Sequence, residues 1–352
     1  MTSCKVNRNY KTCMAGGVAQ RGVALLTALL IVSLVTIVAV DLVVRQHFDI
    51  RRTANILETD QGYLYALGVE SALTKLVQTY EQNKKYTDPK DLEMLNASSP
   101  FPVEGGVVAF HVDDMEGLFN INNIVNDNGV KDEKQFTLLI KIFGKVGMPL
   151  EVAGAALDWI DKDSDVTFPG GAEDGEYLGM QPAYRPPNRR MASASELLLV
   201  KGFKDKDPDL MKQRMEIFHW VTALPESGTK LNINSVSADV LTVILDTYAP
   251  AAVANVQTFL TDRKAKPVQD VTDKAAFQQL SLFNSLNAND VTTAANKLVE
   301  AQLFDIKTNY FMVSANSAVG QSNTQLSSLI MCAANCASTV VIARSQGTPG
   351  MF

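Results

Sequence analysis

The chain has 352 residues, 46% hydrophobic and 20% charged, a length for about two or three domains and a composition that folds as a globular body. Its formal net charge of −6 argues against nucleic acid as a main partner and suits divalent cations better. Enzyme signals are thin: His47, His111 and His219 are the only histidines, and no Gly-x-Ser-x-Gly or His-Glu-x-x-His motif occurs.

Residues 1–22 carry Lys5, Arg8, Lys11 and Arg21 and no acid. An apolar run follows from Val23 to Val40, with only Thr27, Ser33 and Thr36 as polar members, and Asp41 and Arg45 end it. Each hydroxyl can bond back to its own helix. Roughly 18 residues span about 27 Å as a helix, enough to cross a bilayer. A secretory signal has a shorter apolar core, about 7–15 residues, and is cut behind it. Here a basic leader ends at Gly22 and the helix starts at Val23. This order resembles that of the type IV prepilin class, in which the cut falls before the run and leaves the apolar helix as the mature N-terminus; a cleaved secretory signal is the other reading. Basic residues ahead of the helix keep that end in the cytoplasm and put the body outside. Removal of the leader takes four cations away and leaves a charge of −10. Cys4 and Cys13 go with it. Cys332 and Cys336 face a compartment that permits disulfides. They bracket three residues, a spacing that either clips a tight turn or is too strained to close.

No proline interrupts 23–87, and Ile50, Ala54, Leu57, Gly62, Leu64, Leu67, Leu73 and Leu76 continue a helical pattern. This predicts one long helix, membrane-spanning in its first half and packed on a sheet by its second. Residues 83–102 read as loop, with Asp88-Pro89, Pro100 and Pro102 as breakers. A strand is predicted over 106–113, then a turn at Glu116-Gly117. Helices follow at 134–146 and 150–160, then a long acidic loop over 161–190. Ser193 caps a short helix to Val200, with Glu196 at capping-box spacing. Further helices are predicted at 209–220, 238–247, 250–263 and 291–302. The tail segments 310–315, 326–331 and 338–343 read as an antiparallel meander. The simplest architecture is α+β, with an all-helical domain inserted. Its parts are a leader (1–22), a transmembrane helix (23–45), a body (46–118 and 305–352) and an insert (119–304).

Within the insert, seven carboxylates fall between Asp158 and Glu176. Calcium takes about 6–8 oxygens, and Gly170-Gly171 let the loop 161–178 fold back so that Glu173, Asp174 and Glu176 meet Asp161, Asp163 and Asp165. Without a cation these charges repel. The pattern is not an EF-hand, since Val166 and Ala172 stand where Gly and Glu belong. A solvated acidic loop and a catalytic carboxylate pair are the other readings of these residues. Arg185, Arg189 and Arg190 read as partners for the carboxylates or as surface contacts. Residues 231–263 resemble a helix-hairpin-helix unit, but Tyr248-Ala249-Pro250 replaces the Gly-x-Gly turn. Proline has no N–H, so the phosphate-binding nest is missing and a packing module is expected.

Several segments together resemble the general secretion pathway protein K family, the large minor pseudopilins of the type II secretion system. They are Arg21-Gly22-Val23-Ala24-Leu25-Leu26, Phe119-Asn120-Ile121-Asn122, Asp158 to Asp165 with Gly171-Ala172-Glu173-Asp174 and Tyr177-Leu178, Asn188 to Gly202 around Ser195-Glu196-Leu197, and Asn232-Ile233-Asn234. The resemblance implies a pilin-like helix on a sheet, an insert with helix-hairpin-helix or SAM-like units, and no enzymatic activity. It implies that prepilin peptidase cuts after Gly22 and methylates Val23. It implies one or two structural calcium ions, carried as a group onto Asp161, Asp163, Asp165, Glu173, Asp174 and Glu176. The implied partners are two other minor pseudopilins in a tip complex, the major pseudopilin and an inner-membrane assembly platform. The implied location is the bacterial inner membrane, crossed once, with the body in the periplasm. Most prepilins carry Glu at the fifth mature residue, where this chain has Thr27. A subunit lacking that buried partner fits poorly beneath a next subunit, and a bulky insert blocks stacking above it. Both suit the tip. The competing readings are a type IV pilus tip subunit with an adhesive or DNA-contacting role, and a membrane-anchored periplasmic enzyme. The enzyme would need a His or Lys beside the acids, where the sequence offers only Lys162.

Overall fold

A computed structural model describes residues 21–333 and 335–347. Most of the leader, with Cys4 and Cys13, lies outside these residues, as does the end of the body beyond Gly347. The chain divides into two compact units, 1–57 and 58–352.

The described part of the first unit belongs to helix α1 (Arg21–Glu81), 61 residues without a break. From Val23 to Val44 its large apolar side chains are exposed, and the helix is long and apolar enough to cross a membrane. The hydroxyls of Thr27, Ser33 and Thr36 donate to the carbonyls of Ala24, Leu30 and Val32 at 3.0, 2.8 and 2.7 Å. Each is thereby satisfied without water. Asp41 pairs with Arg45 one turn on, at 2.9 Å.

The second unit continues α1 from Glu58 and adds α2 (Pro89–Ala97), β1 (Phe101–Val103), β2 (Gly106–Asp114), β3 (Phe119–Asn120), α3 (Glu133–Lys145), α4 (Leu150–Ile160), α5 (Asp174–Leu178), α6 (Pro208–Met215), β4 (Val221–Thr222), β5 (Leu231–Asn232), α7 (Ala238–Tyr248), α8 (Val256–Ala265), α9 (Lys274–Gln278), α10 (Ala288–Ala301), β6 (Phe304–Asp305), β7 (Tyr310–Val319), β8 (Ser322–Ala333) and β9 (Ser338–Gln346). Five of the strands form one antiparallel sheet, in the order β1-β2-β7-β8-β9. β2 and β7 are neighbours, with His111 opposite Ser314, although nearly two hundred residues separate them. Helices α3 to α10 lie in that interval, so the architecture is α+β with several helices inserted.

The part of α1 in this unit packs on the sheet. Ala66, Val69, Leu73 and Val77 bury against Val108, Val112, Phe311, Val313 and Ile330. This stripe differs from the expected one: Leu64 is 66% exposed, and Leu57 and Leu76 also face solvent. Gly62 and Leu73 of the expected pattern do lie on the buried face, whereas Glu70, a charged residue, was not expected there. Gly62 lets the helix come close, since a Cβ there would meet Thr324 Oγ1 at 3.0 Å. Glu70 puts a charge in the stripe, held by Arg344 at 2.7 Å and by Ser328. The expected loop over 83–102 is corrected too, because α2 starts there. Asp88 caps it by accepting from Lys90 N at 3.0 Å, and Pro89 occupies the first turn, where the missing N–H costs nothing. The same dipeptide that reads as a breaker opens a helix.

In the insert, a core that includes Phe143, Trp159, Tyr177, Phe203 and Leu241 holds the helices together. α4 and α7 match their predicted ranges within a residue. The helix expected over 250–263 is a 3-10 turn (Pro250–Asn255) followed by α8, and the one over 193–200 is a 3-10 turn over Ala194–Leu199. Glu196 accepts from Ala192 N at 2.7 Å and from Trp159 Nε1 at 3.0 Å, so it ties the turn to α4. Cys332 and Cys336 are joined, with Cα atoms 4.4 Å apart, between β8 and β9.

Candidate metal centre

α4 runs into the acidic loop through Asp158, which is fully buried. The Asp158 carboxylate accepts from Thr167 N at 3.1 and 3.2 Å, and Gly171 N donates to Thr167 O at 2.7 Å. These bonds fold the loop back onto the end of α4. Only glycine fits at 171: a Cβ would overlap the Asp158 carboxylate and the Thr167 backbone. Gly170 takes φ of +81°, the left-handed region that favours glycine.

The fold-back brings Asp161, Asp163 and Glu173 together, with one carboxylate oxygen from each within 4.8 Å of the others. Asp161 Oδ1 and Glu173 Oε1 are buried and have no hydrogen-bond partner, and neither has Asn188 Oδ1. The Asn188 amide donates to Asp163 O at 2.9 Å and lies 3.5 Å from Glu173 Oε2. Burial, then the neighbouring Asp163, Asp158 and Glu173, push the Asp161 carboxyl up to about 7. Burial also raises Glu173 and Asp158, against hydrogen bonds from Asn188 and Thr167 respectively. Buried acceptors facing one another without donors are costly. An all-oxygen set containing several carboxylates fits a hard divalent cation such as calcium.

Three of the six residues expected to act as a group are thus brought together. The others are placed differently. Asp165 gives its backbone N–H to Asp163 Oδ1 at 2.9 Å. Asp174 pairs with Arg185 at 3.2 Å and Glu176 with Lys201 at 2.9 Å. Arg185 is therefore a partner of the loop acids, but Arg190 pairs with Asp127 at 2.6 Å and Arg189 donates to a backbone carbonyl. Lys162 points away, to Asp127 O at 3.2 Å. Asn188 opens one of the segments that carry the family resemblance, but nothing marks it as a ligand, since an amide after two prolines reads as turn. Tyr177 packs its ring against Trp159, 5.3 Å between centroids, and accepts from Lys201 N. Tyr177 therefore fastens the loop to α4, while Leu178 beside it is exposed.

The remaining segments are used within the fold. Asn120 and Asn122 side chains bond to Leu224 N and Leu224 O at 3.0 and 2.8 Å. Arg263 donates to the carbonyls of Ile233 and Val236 at 2.8 and 2.7 Å, which locks α8 onto the Asn232-Ile233-Asn234 turn. His111 lies 3.0 Å from Asp113, and His219 lies 3.9 Å from Glu216, both on the surface.

The family model for type II secretion system (T2SS), protein K matches residues 117–226, which include the centre. Type II secretion system protein K of Pseudomonas aeruginosa is 30% identical, over 94% of this chain and 94% of that protein. The Aeromonas hydrophila protein of the same name is 28% identical, over 89% and 93%. Among solved structures, the chain is similar to one in the crystal structure of the GspK-GspI-GspJ complex from the enterotoxigenic Escherichia coli type 2 secretion system. The TM-score is 0.67 at 23% identity, covering 85% of this chain and 100% of that one. The shared fold and the near full-length match place the chain: it belongs to the type II secretion system protein K family, whose pseudopilins are non-enzymatic structural proteins.

Proposed function

We propose that this protein is a minor pseudopilin at the tip of the type II secretion pseudopilus, where it starts assembly and caps the fibre for export across the outer membrane. The observation that carries this reading is α1: one helix with apolar side chains exposed from Val23 to Val44, continuing into a stretch buried on the sheet. Such a helix can be lifted from lipid into a bundle of like helices without refolding. Thr27, whose hydroxyl is taken by Ala24 O, offers no carboxylate to a subunit below. The partners are two other minor pseudopilins, counterparts of GspI and GspJ in the similar solved complex, then the major pseudopilin and the assembly platform. The N-terminus is cytoplasmic, the helix crosses the inner membrane once, and the body is periplasmic. Prepilin peptidase cuts after Gly22 and methylates Val23. The segment 119–304 acts as one inserted helical domain, with α7 and α8 as its helix-hairpin-helix, SAM-like element and 46–118 with 305–352 as the pilin-like body.

Asp161, Asp163 and Glu173, with the side-chain oxygen of Asn188, would hold a calcium ion. Bound there, the ion supplies the positive charge that these buried oxygens lack. Asp158 and Gly171 shape the loop, and Arg185 and Lys201 neutralise its outer acids. The reading is tested by two measurements. Gly22→Ala should leave the leader attached, and normal shortening of this variant by mass spectrometry would reject the cleavage site. The chain should co-purify with candidate minor pseudopilins and carry calcium; a complex that does not form would reject the tip role.

A further inference from the structure

The turn between Asp165 and Gly171 carries a side chain for which metal binding has no use. Phe168 is 94% exposed, more than any other large apolar residue described, including those of the apolar stretch of α1, where Leu26 reaches 68%. Val166 beside it is 60% exposed. This turn is not slack. Thr167 N is held by the Asp158 carboxylate, Gly171 N by Thr167 O, Gly170 lies against Glu151, and the Pro169 carbonyl lies against Gly154. A rigid turn that holds a phenylalanine in water loses little conformational freedom on docking and gains the full apolar burial.

The surrounding charge selects the occupant. Glu151, which lies against Gly170, and Asp165, at the start of the turn, are exposed and are not assigned to the ion. They repel anionic lipid headgroups and complement a protein surface with a basic rim. We propose that the turn 166–169 is a docking finger, with Phe168 inserting into an apolar, basic-rimmed pocket of a protein met by the fibre tip. This rests on the tip role proposed above. The finger is built on the same fold-back that forms the candidate metal centre, so the two share a rigid base.

The test uses the full chain in secreting cells. Phe168→Ala and Phe168→Asp should each lower export about tenfold, the effect of truncating an aromatic anchor, while Phe168→Leu retains most of it. All three variants should keep the parental melting temperature and co-purify with the same partner subunits. Parental export by Phe168→Asp with co-purification intact overturns the finger and leaves the tip role standing. Loss of co-purification in Phe168→Ala overturns it in favour of a contact inside the tip complex. Sedimentation of the parental chain, but not of Phe168→Ala, with vesicles of anionic phospholipid lacking calcium overturns it in favour of a lipid surface.

Discussion

Two buried carboxylate sites in this chain are solved in opposite ways. Glu70, on the face of α1 that meets the sheet, receives Arg344 Nε and Nη2 at 2.7 and 2.8 Å and the Ser328 hydroxyl. Burial alone would raise its carboxyl, but these hydrogen bonds outweigh burial and bring it below the usual carboxylate value. At the end of α4, Asp161 and Glu173 are as deeply buried, yet each keeps an oxygen without a donor, and burial with like charge raises both. In the first site the fold supplies its own cation. In the second the nearby cations, Arg185 and Lys201, are spent on Asp174 and Glu176. The contrast is what the proposed calcium ion would resolve, since it would supply at the second site the charge that the fold supplies at the first.

The sharpest way to break this contrast is at Gly171. A Cβ there overlaps the Asp158 carboxylate and the Thr167 backbone, neither of which can move without undoing the fold-back. Gly171→Ala should cost about 3 kcal/mol in urea unfolding, the upper range for overpacking, and remove calcium binding. Next comes the cation itself. Chelation should lower stability by about 2.7 kcal/mol relative to calcium at a hundredfold excess over its dissociation constant. An unchanged melting temperature would return the loop to a solvated acidic segment. The response should vanish in Asp161→Asn, which keeps the shape and removes the charge.

The closed site gives a smaller and pH-dependent effect. Arg344→Met leaves Glu70 buried without its cation. Arg344 is half exposed, so solvent screens the pair and the loss is about 1 to 2 kcal/mol. The Glu70 carboxyl is lowered in the folded chain. Its stabilisation is therefore present above the ordinary carboxylate value and disappears as pH falls through the folded one. The stability gap between parental chain and Arg344→Met should close on acidification below about pH 4.5; a gap that is constant with pH would mean the arginine acts through packing alone.

How much of this was legible in the sequence follows the range of the interactions. α4, α7 and the strands around Val108, Val313 and Ile330 are marked by local apolar spacing, and the structure finds them near their predicted places. The acidic loop was visible because its carboxylates are close in sequence. The pairing of Glu70 with Arg344 joins residues 274 positions apart, and no local pattern carries it. For the same reason Asp174 and Glu176 looked equivalent to Asp161 and Glu173. The fold-back held by Asp158, Thr167 and Gly171 brings Asp161, Asp163 and Glu173 together and leaves Asp174 and Glu176 facing Arg185 and Lys201. α2 was missed because Asp88-Pro89 has two meanings, breaker and helix opener, and packing of Leu95 against the sheet decides between them.

Glu81, at the end of α1, lies between the two cases and should show the smallest effect. Thr87 donates to its Oε2 at 2.7 Å, while its Oε1 is buried without a partner. Burial pushes the carboxyl up to about 7, against the Thr87 bond and the nearby Lys84 and Lys307, with Asp114 adding to the rise. A carboxyl raised in the folded state binds its proton more tightly there than in the unfolded chain. Folding is therefore favoured as pH falls from about 7 toward the ordinary carboxylate value, the reverse of the Glu70 dependence. Glu81→Gln supplies the neutral form at every pH. It should stabilise the chain by about 1 kcal/mol at pH 8, where the loss of attraction to two lysines offsets part of the gain, and by nothing at pH 5. Denaturant melts of the two proteins at these pH values decide it. A variant less stable than its parent at pH 8 would show that the lysines outweigh burial, and would place Glu81 with Glu70 among the sites that the fold itself neutralises.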